Sequence, residues 1–261
     1  MKNNFDTNEI CGFLPVNKPT GISSFDCIRH IKKFLGKKTK IGHCGTLDNF
    51  ASGLIIICIS RQATKLVDTL MNLDKTYIVK AKLGELTDTL DYTGEIIKTK
   101  DIKNINQETL EKSIQDLGNE YEQIPPIYSA LKYKGKPLYK LARNKKIETD
   151  ELETIILSKK KLVQLYEIKL LEFKPPFFSI KTKVSKGTYV RSLMNDIAQN
   201  LGNFATCHEL ERTAIGPLTL ENTINLRNIE NLEIIKKHLI SIENIKNLLK
   251  TEKFKSKKKF S

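Results

Sequence analysis

Residues 42–59 read GHCGTLDNFASGLIIICI, and this stretch decides the architecture of the chain. Its second half, Leu54 to Ile59, is a continuous apolar run rich in isoleucine, which reads as a strand buried on both faces. Its first half is a glycine-flanked loop, Gly42 to Gly53, that carries a single carboxylate, Asp48. Small residues in such a loop let a bulky substrate approach the backbone closely. On spacing alone the commoner role of an Asp in a glycine-rich loop is to cap a turn, so spacing does not by itself make Asp48 catalytic.

Upstream, Ser23 or Ser24 is placed to cap a helix in which Phe25, Ile28, Ile31 and Phe34 recur every three residues, with Gly36 as its left-handed stop. The other face is charged, and a basic cluster of Arg29, Lys32, Lys33, Lys37, Lys38 and Lys40 runs from it past Gly36. Downstream, Lys75 to Lys100 alternates and is broken by the turn-rich LTDTLDYTG, which predicts two strands and a short loop. A helix is expected over Gln107 to Leu117, strands near Lys161 to Glu172 and Phe177 to Val184, and a further helix from Val190. In that last helix Val190, Leu193, Met194, Ile197, Ala198 and Leu201 form one stripe, Arg191 stands beside it near the start, and Gly202 supplies the stop.

The chain has 261 residues, with 44 Lys and Arg against 30 Asp and Glu, a formal charge of +14 that favours a polyanionic partner. Three clusters concentrate that charge: Arg29 to Lys40, Lys132 to Lys146, and the tail after Leu249 with six lysines. Clustering of this kind is a phosphate-binding footprint. No apolar stretch approaches the roughly 20 residues of a membrane span and the start lacks a signal-peptide core, so a soluble cytoplasmic protein is expected. The five cysteines are scattered with no C-x-x-C pair, which argues for free thiols over a zinc ribbon or disulfide framework. Metal-ligand spacings, phosphate-binding glycine loops and Ser/His/Asp arrangements are missing from the sequence, and neither metal nor cofactor is expected.

Five ordered blocks carry a resemblance to a known family: NKPTGISSFD, GHCGTLDNFASGLI, KTYIVKAKLGELTDTLDYTG, QIPPIYSALKYKGKPLYKLAR and SKGTYVRSLMNDIAQNLG. Together they resemble the bacterial tRNA pseudouridine-55 synthases, the TruB family, over about residues 12 to 220. The chain departs from the pattern at Asn17, at Asn49 where the family carries proline after the catalytic Asp, and at Ala198. Asn49 lacks the fixed φ of proline, which bears on loop rigidity.

What the resemblance implies is specific. Asp48 matches the catalytic carboxylate, acting either by addition at uracil C6 or by attack at ribose C1′, and Arg191 matches the cation that keeps it ionised and aimed. Tyr77 matches the tyrosine that stacks on the uracil and removes the C5 proton. His43 matches the histidine that fills the place vacated by the flipped base, Lys18 a residue supporting the pocket, and Leu210 one touching the base. Lys132, Lys136, Lys140 and Arg143 are expected to contact RNA phosphates.

The expectation is therefore an α/β (α+β) pseudouridine synthase fold, a mixed, mainly antiparallel sheet flanked by helices. Residues 1–220 are expected to form the catalytic domain, with an RNA-gripping insertion at about 123–161 that lacks sustained periodicity. Residues 221–249 read as a short helical extension in place of a full PUA-type domain, and 250–261 as a disordered lysine-rich tail. The expected substrate is the T arm of tRNA, acted on by a monomer without an obligatory protein partner. Two rival readings are a guide-dependent ribosomal-RNA pseudouridine synthase, and a tRNA-binding or tRNA-folding protein whose catalysis is incidental.

Overall fold

The computed structural model describes residues 10–129, 131–143 and 149–258. They group into two compact units, one of residues up to Tyr77 together with those from Glu211, the other of Ile78 to Leu210.

In the first unit the strand Gly12–Lys18 pairs antiparallel with Ser52–Ile59, placing Val16 opposite Ile55 and Leu14 opposite Ile57. On its other edge Ser52–Ile59 pairs antiparallel with Ile41–Cys44, and in parallel at Ser52 and Gly53 with Glu211 and Arg212. Leu54 through Ile59 are all fully buried. Because successive strand side chains point to opposite faces, Ile55, Ile57 and Ile59 enter one apolar cluster while Leu54, Ile56 and Cys58 enter another. This two-sided burial is why the run is continuous rather than alternating.

The first cluster is covered by the helix Ser24–Lys32. Its N-cap is Ser23, which forms a capping box with Asp26, and it buries Ser24, Cys27, Ile28 and Ile31. Two expectations are corrected here. Phe25 is 59% exposed, because the buried face follows the i, i+3, i+4 spacing of 24, 27, 28 and 31. The helix also ends earlier, with Lys33 as a right-handed C-cap, so Gly36 is not the stop.

Residues after 220 pack into this first unit. Ile224–Asn225 pairs in parallel with Gly12–Lys18, and Leu226, Ile229 and Ile235 join the first cluster. The expected disordered tail is corrected in part, since the helix Ile242–Lys258 continues through most of it. Lysine is a good helix former, and positive charge at a helix C-terminus complements the helix dipole.

In the second unit the strand order runs from Lys75–Leu83 through Phe177–Val184 and Lys161–Lys174 to Glu120–Gln123. The last three pair antiparallel. Phe178, Ile180, Thr182 and Val184 form the buried face of their strand. The helices Gln107–Asp116 and Val190–Asn200 lie together, with the Ser113 hydroxyl donating to the Ile197 carbonyl at 2.5 Å. Gly202 closes the second helix with φ +64°, as its position suggested.

Residues 75–100 form three strands rather than two: Lys75–Leu83, then a small antiparallel pair, Glu85–Thr87 with Ile96–Thr99. The loop within that pair bonds to itself, Thr93 donating to Asp91 and the Glu95 N–H to Asp88, so it folds as a local unit. The 123–161 region, read as an insertion without sustained periodicity, has short elements of its own. A hairpin at Lys132–Tyr133 and Lys136–Pro137 precedes the helices Leu138–Arg143 and Thr149–Leu157. Leu138, Leu141, Ile155 and Ile156 form a separate small core, split between helices too short to show a period. The mixed, mainly antiparallel sheet flanked by helices is the fold class the sequence implied.

Candidate active site

The loop holding Asp48 is fixed from several directions within the first unit. The Ser24 hydroxyl accepts the Leu47 N–H at 2.9 Å and lies 3.1 Å from the Leu47 carbonyl. The Gly21 N–H donates to the Asn49 carbonyl at 2.8 Å, and the Ala51 N–H to that of Asp48 at 3.2 Å. The remaining anchor is Arg212, 1% exposed. Its guanidinium donates to the carbonyls of Gly45 at 2.9 Å, Thr46 at 3.4 Å and Leu54 at 2.8 Å. One side chain thus ties both ends of the loop to the Ala205–Ile215 strand. Asn49 therefore sits in a loop whose rigidity comes from hydrogen bonds on either side of Asp48.

Two glycines make this approach possible. Gly53 has φ +105°, and a Cβ there would lie 2.4 Å from the Arg212 carbonyl oxygen. Gly45 has φ +75°, and a Cβ there would crowd the Arg212 guanidinium at 3.3 Å.

Two buried cations, Lys18 and Arg212, lie close to this loop. Lys18 is fully buried, and its ammonium donates to the carbonyls of Pro19 and Ile22 at 2.9 Å each. Burial pulls its pKa down to about 8, with the nearby Arg212 charge acting the same way and the Asp48 carboxylate opposing. His43 ends up neutral near pH 7, because burial and then the Arg212 charge hold its pKa below the usual imidazole value. Its Nδ1 is buried without a hydrogen-bond partner. Tyr77 is 8% exposed, on the strand Lys75–Leu83.

The second unit holds Arg191 and Leu210. Arg191 is buried on the first turn of Val190–Asn200. It donates to the Thr89 carbonyl, to the Tyr128 carbonyl at 2.9 Å, and lies 3.4 Å from the equally buried Asp91 carboxylate. Asp91 is itself held by Thr93, whose N–H donates to it at 3.1 Å. A guanidinium bound on several sides has little rotational freedom left, so this arginine is aimed. Leu210 is buried on its strand. Lys132 and Lys136 are exposed on the small hairpin. Lys140 and Arg143 fall on the helix Leu138–Arg143, and their side chains lie outside the described residues.

Sequence reading missed Arg212 and Asp91, and read Ser24 only as an alternative N-cap. Arg212 left a signal, since it follows Leu210 by two residues and so shares its strand face, an odd place for an arginine without a partner. Asp91 lies in a loop read only for its turn chemistry.

Asp48 thus stands on a loop tied down on both sides, with the buried Lys18 ammonium close enough to feel its charge. The fold is shared with a solved structure. A chain in the crystal structure of a Cbf5-Nop10-Gar1 complex superposes with a TM-score of 0.65 at 24% identity, over 89% of this chain and 60% of that one. The model of the TruB family pseudouridylate synthase N-terminal domain matches residues 32–190. The chain is 42% identical to the tRNA pseudouridine synthase B of Clostridium tetani, over 96% of this chain and 82% of that protein. It is 45% identical to that of Fusobacterium nucleatum, over 80% and 69%. The chain belongs to the TruB family of pseudouridylate synthases.

Proposed function

We propose that this protein isomerises uridine to pseudouridine at position 55 in the T loop of tRNA, with Asp48 as the catalytic carboxylate. The observation that carries this reading is the clamped loop 45–53, which presents one carboxylate beside the buried Lys18. Folded T-loop RNA hides its uridine, so the base must first leave its stack, at a cost of a few kcal/mol that protein contacts offset. The neutral His43 ring suits the vacated place, and its unpartnered Nδ1 is a ready hydrogen-bonding atom for RNA.

Asp48 then adds to the uracil at C6 or displaces it at ribose C1′, and the glycosidic N1–C1′ bond breaks. The base turns and C5 bonds to C1′, the bond from Asp48 to C6 or C1′ breaks to return the free carboxylate, N1 gains a proton, and Tyr77 removes the proton from C5. No redox equivalent or phosphoryl donor enters this balance. Arg191 is the cation that keeps Asp48 ionised and aimed, Lys18 supports the pocket, and Leu210 makes an apolar contact with the base. Lys132, Lys136, Lys140 and Arg143 grip phosphates. The protein acts as a cytoplasmic monomer without a protein or guide-RNA partner.

The test is to incubate the purified protein alone with unmodified tRNA transcript carrying tritium at uridine C5. Release of about one tritium per tRNA, lost when uridine 55 is replaced, is the expected outcome. Release that requires added protein or guide RNA would favour the ribosomal-RNA reading, and binding without release the folding reading.

A further inference from the structure

Gln123 is fully buried at the end of the strand Glu120–Gln123, yet its amide faces a main chain rather than a side-chain pocket. Its Oε1 accepts the Tyr189 N–H at 2.7 Å, and its Nε2 donates to the Tyr189 carbonyl at 3.1 Å. A glutamine bound this way reproduces the pairing of one peptide with another in a sheet. Tyr189 is the N-cap of the helix Val190–Asn200, and its own side chain makes no capping hydrogen bond. The start of that helix is therefore set by Gln123 from across the chain.

A second tie fixes the helix axis. The Gln123 Nε2 also donates to the Tyr121 hydroxyl at 2.6 Å, and that hydroxyl donates to Asp196 Oδ2 at 2.8 Å. Tyr189 and Asp196 are seven residues apart, about two turns, and so face the same side. Arg191 follows Tyr189 by two residues, a rotation of about 200°, and projects from the opposite side toward Thr89, Asp91 and Tyr128. The helix is thus pinned on one side at two heights and carries its arginine on the other.

We infer that Gln123 is a positioning residue for Arg191, setting the depth and rotation of the helix that aims the guanidinium. The inference rests on the reading that Arg191 serves the isomerisation. It assigns the fully buried Gln123 to catalysis, although Gln123 itself touches no reacting atom.

Gln123→Met keeps the length and shape of the side chain and removes all three hydrogen bonds. Single-turnover tritium release at saturating tRNA should slow by roughly tenfold to a hundredfold, the scale of a misplacement of an ångström or less, while tRNA affinity stays within about twofold. A loss of fold alone would instead lower the active fraction, which titration with tRNA and thermal unfolding both measure. The decisive arm is a cycle with Arg191→Lys. If Gln123 acts through Arg191, Gln123→Met should cost little more in the Arg191→Lys background, whereas independent effects would multiply. Should Gln123→Met not fold, Gln123→Glu keeps the acceptor for the Tyr189 N–H, loses both donor bonds and enters the same cycle. Multiplying effects, or release at the wild-type rate from either folded variant, overturns the inference. Wild-type protein that releases no tritium overturns the proposed function instead.

Discussion

Replacing Arg212 with methionine tests whether the Asp48 loop is held by one side chain. The guanidinium satisfies three buried carbonyls, those of Gly45, Thr46 and Leu54. Hydrogen bonds from a charged donor contribute about 1.5 to 3 kcal/mol each, and a buried carbonyl left without a donor costs about 1 to 3. Methionine fills most of the volume and removes the desolvation cost of a buried cation, which offsets part of the loss. The net expectation is a destabilisation of about 2 to 4 kcal/mol in urea unfolding. The kinetic expectation is separate: with both ends of the loop released, Asp48 loses its aim, and single-turnover tritium release should fall by about a hundredfold, or 2.7 kcal/mol. Affinity for tRNA should stay within about threefold, because phosphate contacts elsewhere dominate it. Arg212→Lys keeps the charge and places a single ammonium where a planar fork was, so it should recover part of the stability and little of the rate. A methionine variant losing less than about 1 kcal/mol, with release within threefold of wild type, would show that Arg212 is a spectator and the clamp argument unsound.

Asp48→Asn keeps shape and loses charge, so tritium release should drop to background with tRNA affinity within about threefold of wild type; release at the wild-type rate would make Asp48 a turn residue after all. Changing Lys132, Lys136, Lys140 and Arg143 together to alanine should weaken tRNA binding and flatten its salt dependence by about one unit of slope per lost phosphate contact, and an unchanged slope would place these residues off the RNA. For Asp196, burial raises the pKa to about 6 from 3.8, so the folded state holds the proton more tightly and stability falls as pH rises from about 4 to 6. Asp196→Asn keeps an acceptor for the Tyr121 hydroxyl without the charge; it should be more stable than wild type by about 2 to 3 kcal/mol at pH 7.5, with the gap closing near pH 4, and a constant gap across that range would contradict the assignment.

Local order was legible where neighbours in sequence settle it. A serine N-cap at 23 or 24, the stripe from Val190 to Ala198 with Gly202 as its stop, and the two-sided strand Leu54 to Ile59 each follow from spacing and side-chain type. The family was likewise legible from residues alone, because five ordered blocks from NKPTGISSFD to SKGTYVRSLMNDIAQNLG resemble it over most of the chain.

The rest depended on partners far apart in the chain. Arg212 meets Gly45, Thr46 and Leu54 across more than 150 residues, as 158 positions separate it from Leu54. Asp91 meets Arg191 at a separation of 100, and Gln123 meets Tyr189 at 66. A buried arginine or glutamine is stable only when its donors and acceptors are matched, and which carbonyls lie within 3 Å is fixed by strand pairing rather than by spacing. The sequence alone singled out Asp48 and its glycine-flanked loop, because both are local; tertiary structure decided what holds that loop, because burial forces polar side chains to find partners wherever the fold brings them.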